Sequence, residues 1–134
     1  MKIIFCSLFA CLFLACSISA AQKANQSTKS KAEMKLELLY FNSCPSYKQA
    51  LANIKAALKE KNLQAKLLLI DVESEEQAEK VGFQGSPSVR INGEDLEGRD
   101  EGFSISCRVY NVNGKLTVAP SKEVIIAKLE SLMK

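Results

Sequence analysis

The order of apolar patterns predicts an α/β domain: a mixed sheet of four or more strands flanked by helices, with an extra β segment before the C-terminal helix. Three observations carry this. Apolar runs at Lys35–Phe41 and Ala65–Val72 bracket a stretch of helical spacing, a strand-helix-strand opening that implies a right-handed parallel crossover. Asn92-Gly93 and Asn113-Gly114 lie between short β-prone runs, where they signal hairpins and so antiparallel strands. Beyond Pro120-Ser121 the spacing becomes helical again. About 100 residues in this order are enough for one compact core.

Each element has a local reason. Lys35–Phe41 (KLELLYF) is apolar on both alternating faces, as expected of a strand buried on both sides. Asn42-Ser43-Cys44-Pro45 interrupts it. Tyr47, Ala50, Leu51, Ile54, Ala57 and Leu58 then form a helical stripe running to about Lys61, with Asn62 as the stop. Ala65–Val72 (AKLLLIDV) reads as a second buried strand. Ser74-Glu75-Glu76-Gln77 is a capping-box pattern that opens a short helix ending at Gly82. Gly85-Ser86-Pro87 leads into a third strand over Ser88–Asn92, and the Asn-Gly turn into a fourth around Asp95-Leu96. Gly98–Ser104 is polar and glycine-containing, a loop. Ile105–Val112 and Lys115–Val118 flank the second Asn-Gly turn. The last helix places Ile125, Leu129 and Leu132 on one face.

The N-terminus differs from the rest. Lys2 precedes an apolar core over Ile3–Ala15, and Ser19-Ala20-Ala21 fits the small-residue rule for signal-peptidase cleavage. Met1–Ala21 is therefore expected to be a secretory signal. Leu12-Phe13-Leu14-Ala15-Cys16 resembles a bacterial lipobox ending at Cys16, so the expected product is periplasmic or a membrane-anchored lipoprotein. Gln22–Glu33 has no hydrophobic periodicity and reads as a flexible tether to a domain over 34–134.

Composition removes several function classes. The chain of 134 residues contains no histidine, which excludes Ser-His-Asp and Cys-His catalysis, histidine-held zinc or copper, and imidazole pH sensing. The formal charge of +3 is well mixed along the chain and does not suggest nucleic-acid binding. Of five cysteines, Cys6, Cys11 and Cys16 fall in the leader, leaving Cys44 and Cys107 in the body. In an exported protein such a pair is either a structural disulfide or a redox couple.

Cys44 is the stronger chemical signal. It sits between the first strand and the first helix, and Pro45 suits the first helical position, which makes Cys44 the expected N-cap. Free backbone N–H groups and the helix dipole would then favour thiolate over thiol. Reactive cysteines in such settings titrate at about 3.5–7.5.

With Cys44 at a helix start and Ser86-Pro87 opening the third strand, Lys35–Lys134 resembles the thioredoxin superfamily. More closely, it is similar to an exported thioredoxin-like branch with a single Cys in place of CxxC, a GSPxVRxNG segment (Gly85–Gly93) and a later SCRxY (Ser106–Tyr110). The resemblance implies that Cys44 is the nucleophile, that Pro87 is a cis-proline beside its sulfur, and that the Ser86-Pro87 edge docks an extended substrate. Tyr47 follows Cys44-Pro45-Ser46 where the family carries its second cysteine, and the Cys107 segment is additional to the minimal fold. A mixed disulfide on Cys44 therefore needs another thiol, and Cys107 is the internal candidate for resolving residue or disulfide partner, given a Cα separation of about 4.4–6.8 Å.

Among supporting residues, Tyr47 reads as core packing rather than a catalytic phenol. Arg90, Arg99 and Arg108 could assist an anionic substrate, but ordinary solvated or ion-paired arginines are the commoner case. Arg108 is singled out because a guanidinium near a thiol lowers its pKa. No cofactor or metal is required. The implied activity is thiol-disulfide exchange with protein or small-molecule thiols and disulfides. Membrane contact is expected only through a lipid on Cys16, and the oligomeric state stays open. Two other readings accompany it: a thioredoxin-fold binding or scaffold module with a static Cys44–Cys107 bridge, and soft-metal capture by the two thiolates.

Overall fold

A computed structural model describes residues 33–134. The leader, the lipobox-like Cys16 and all of the tether except Glu33 lie outside the described residues. In chain order the elements are β1 (Met34–Tyr40), α1 (Tyr47–Glu60), β2 (Ala65–Asp71), α2 (Glu75–Val81), β3 (Gln84–Ser86) and β4 (Ser88–Ile91). They continue with β5 (Glu94–Asp95), β6 (Ser104–Cys107), β7 (Tyr110–Val112), β8 (Lys115–Thr117) and α3 (Lys122–Leu132). Among the described residues no helix is long and apolar enough to cross a membrane.

The main sheet has the order β2-β1-β4-β5. β1 and β2 are parallel and joined through α1, whereas β4 runs antiparallel to β1 and β5 antiparallel to β4. This is the mixed four-stranded sheet flanked by helices that the apolar pattern predicts. β1 is central, and strand alternation divides its side chains between two cores. Leu36 and Leu38 lie beside Ile91 and Val89 and pack on Ala50, Ile54 and Ala57 of α1 and Ile125 and Leu129 of α3. Leu39 faces the other way, into a smaller core with Val72, Ala78 and Phe83 around α2. A leucine buried this completely is typically worth about 2–5 kcal/mol against alanine.

Local signals in the sequence match local structure. The Ser74 hydroxyl accepts from the Gln77 N–H at 3.2 Å, and the Gln77 side chain reaches back to accept from the Glu73 N–H at 3.0 Å, one residue before the cap. Gly82 ends α2 in the left-handed region at φ 58°. Asn92 and Gly93, at φ 52° and 88°, form the tight turn between β4 and β5. Ser121 caps α3 by accepting from the Val124 N–H.

Three expectations are corrected. β2 is the edge of the sheet and only half-buried, with Leu69 47% exposed, because among the described residues nothing pairs with its outer side. α1 starts at Tyr47 with Ser46 as N-cap, so Cys44 precedes the cap rather than providing it. The span Ile105–Val112 is not one strand: Ser104–Cys107 pairs with β3 and Tyr110–Val112 with β8, in separate two-stranded sheets. The break falls where Arg108 turns inward and becomes buried between the exposed Cys107 and Val109.

Candidate functional site

The first turn after β1 brings Cys44 back beneath the sheet end. Its N–H donates to the Phe41 carbonyl at 3.1 Å, and Pro45 and Ser46 then wind into α1. Cys44 is 2% exposed, with its sulfur 3.2 Å from the Ser46 hydroxyl and 3.4 Å from the Ser86 carbonyl oxygen. The helix start thus supplies Ser46 as a neighbour even though the capping position has shifted by two residues.

The second wall is the Gly85–Ser88 segment. Ser86, Pro87 and Ser88 are buried, and the Ser86-Pro87 peptide is cis. Ser86 ties two elements together: its hydroxyl accepts from the Phe41 N–H at 3.4 Å and its carbonyl from the Arg108 N–H at 2.8 Å. β6 lies parallel to β3 here, with Ser86 opposite Cys107. Gly85 makes the close approach possible. At φ 94°, a Cβ on it would lie 2.9 Å from the Ser106 carbonyl oxygen and 3.1 Å from the Arg108 Cβ.

This ladder delivers Cys107. The two sulfurs are 2.7 Å apart, both as free thiols, one buried and one exposed. The Ser86-Pro87 edge, expected to dock an external substrate strand, is covered by the chain's own β6. That expectation is corrected, because the Ser86 carbonyl already has its partner in the Arg108 N–H.

The sulfurs titrate in opposite directions. Burial opposes the Cys44 thiolate, but hydrogen bonds from Cys107, Ser46 and Ser86 outweigh it and pull the thiol below its ordinary value. Cys107 is pushed up, first because its proton is shared with Cys44, then by desolvation and by the neighbouring charge. The contact therefore favours ionisation of Cys44 ahead of Cys107.

Arg108 does not act on that thiolate. Its guanidinium makes a bidentate pair with Asp95 at 2.6 and 2.8 Å, reaches Glu97 at 3.0 Å and Ser88 at 3.2 Å, and lies 4.6 Å from the Tyr110 ring centre. Its role is corrected from tuning the sulfur to anchoring β6 from below, since consecutive residues of a strand point to opposite sides. Removing one partner of such a buried pair costs about 3–5 kcal/mol. Within it Asp95 is held below the usual carboxylate range: burial raises it, but Arg108 and backbone N–H groups prevail. The Tyr110 hydroxyl donates to the Pro87 carbonyl at 2.7 Å, linking this anchor to the proline segment.

Asp95, Glu97, Ser88, Ser46 and the Tyr110 hydroxyl are site residues that the sequence reading missed. An acidic residue inside a short hairpin strand, paired with an arginine adjacent to a cysteine, was the available signal. Tyr47 is half-buried rather than core, stacked on Tyr40 at 4.1 Å. Arg90 donates to the Gly82 carbonyl and Arg99 pairs with Glu97, so neither guanidinium stands unpaired. A cleft of about 480 Å³ lined by Arg90, Asp95, Arg99 and Lys128 includes neither cysteine.

Among the described residues no group of three or more His, Cys, Asp or Glu side chains is placed to hold a metal ion. Compared with known families, curated proteins and solved structures, the chain has no significant match. The arrangement can do one thing directly: form and break a bond between two sulfurs that differ in exposure and acidity.

Proposed function

We propose that the protein is an exported thiol-disulfide exchange protein of thioredoxin-like fold, with Cys44 and Cys107 as its redox couple and no bound cofactor. The observation that carries this reading is the 2.7 Å approach of a buried sulfur to an exposed one. The fold supports it. A parallel β1-α1-β2 unit, an antiparallel β4-β5 hairpin and the Ser86-Pro87 segment against the Cys44 sulfur match what the thioredoxin resemblance implies. Export rests on the Met1–Ala21 leader.

Cys44 is the internal nucleophile and Cys107 its disulfide partner. The short distance between the sulfurs favours bond formation when an oxidant removes two electrons and the remaining thiol proton is lost to water, and a stabilised Cys44 thiolate favours its cleavage. Soft-metal capture is less well served. With metal–sulfur distances of about 2.3 Å, sulfurs this close would subtend only about 70°, far from tetrahedral.

Equilibration with glutathione buffers, read by mass shift after alkylation, tests the proposal. A reduction potential of roughly −120 to −230 mV is expected of an exchanging couple. A value below about −300 mV would mark a static structural bridge instead.

A further inference from the structure

We infer that partners exchange through Cys107, and that Cys44 is the interior thiol that opens and closes the bond to it. The inference rests on the exchange reading above, and it reverses the order expected from the sequence, in which Cys44 meets the substrate.

The argument is one of access and line of approach. Displacement at sulfur needs the incoming and departing sulfurs on opposite sides of the one attacked. Cys44, 2% exposed, is enclosed by Ser46, Ser86 and Cys107 itself. In the Cys44–Cys107 disulfide, attack on Cys44 opposite Cys107 would have to come through the protein interior. Attack on Cys107 opposite Cys44 comes from solvent, since all four residues of β6 are exposed. The departing group is then Cys44, whose anion has the Ser46 hydroxyl 3.2 Å away as a donor. A lower-pKa thiol also leaves faster.

The step balances as follows. A partner thiolate attacks the Cys107 sulfur, forming a partner–Cys107 disulfide and releasing Cys44 as thiolate. A second thiolate of the partner attacks the partner's own sulfur in that bond, closing the partner's disulfide and releasing Cys107, which takes a proton from water. Two electrons pass from the partner dithiol to the protein disulfide. Run backwards, a partner disulfide is reduced through the same Cys107 adduct.

The test uses the oxidised full chain mixed with excess reduced glutathione, quenched with acid, and mapped by peptide mass. Glutathione on Cys107, at least tenfold over Cys44, is the expected result. Reduced Cys44→Ser treated with oxidised glutathione should accumulate the same adduct, and Cys107→Ser should form its adduct at least tenfold more slowly. Glutathione found mainly on Cys44 would overturn the inference and leave the exchange reading standing. A disulfide inert to glutathione, with no adduct at either cysteine in any of the three proteins, would overturn both.

Discussion

Removing water from Cys44 disfavours its thiolate, yet hydrogen bonds from Cys107, Ser46 and Ser86 reverse the sign. The same contact makes Cys107 harder to ionise. These shifts fix how the stability of the reduced protein depends on pH. Between the lowered Cys44 value and the ordinary thiol value of 9.0, the unfolded chain binds one more proton than the folded one, so stability rises with pH. Above 9.0 the folded chain keeps the Cys107 proton that the unfolded chain has lost, and stability falls. Urea denaturation of the dithiol protein, referenced to a Cys44→Ser/Cys107→Ser variant, should therefore show a maximum near pH 9, the thiol value common to both. Thiolate absorbance should also show Cys44 titrating higher in Cys107→Ser than in wild type. An unchanged midpoint would mean that the inter-sulfur hydrogen bond contributes nothing.

β3 and β6 explain why the two cysteines meet, and they divide what could be read in advance from what could not. The α1 stripe, the Ser74 cap and both Asn-Gly turns depend on residues within about a turn of each other, and the sequence reading located them. The parallel pairing of Gln84–Ser86 with Ser104–Cys107 spans a polar loop and leaves no periodic trace, because β6 is exposed at every position. The Arg108–Asp95 pair is a long-range contact between two charges that look solvated in isolation. Cys44, Cys107, Ser86 and Pro87 were legible as candidates; that β6 fills the docking edge was not. Gly85→Ala tests the ladder. Its positive φ and the Ser106 and Arg108 contacts within 3.1 Å predict destabilisation by about 1–3 kcal/mol. Because the shift must fall on β6, the Cys44 midpoint should also move upward. Lost stability with an unmoved midpoint would mean that β6 does not set the sulfur contact.

Closing Cys44 to Cys107 joins residues 63 apart across most of the described chain, from the first helix start to the segment before α3. In the chain-entropy model a loop of that size stabilises the folded state by about 4 kcal/mol. Oxidised protein should resist urea by that margin over reduced protein, in buffers matched except for redox state. Equal stability would mean that folding gains nothing from the bond, as expected if the reduced unfolded chain already keeps the two segments together.

The covering of the Ser86 edge by β6 has one more consequence. A neighbouring thiol fixed within bonding reach acts at an effective concentration that free molecules in solution seldom match. Under the proposed exchange, a ligand with a single sulfur bonded to Cys107 would be open to displacement by the thiol beneath. A ligand with two can finish the exchange before it is ejected. On that reading the strand would sort its visitors by valence, favouring those that carry sulfur in pairs.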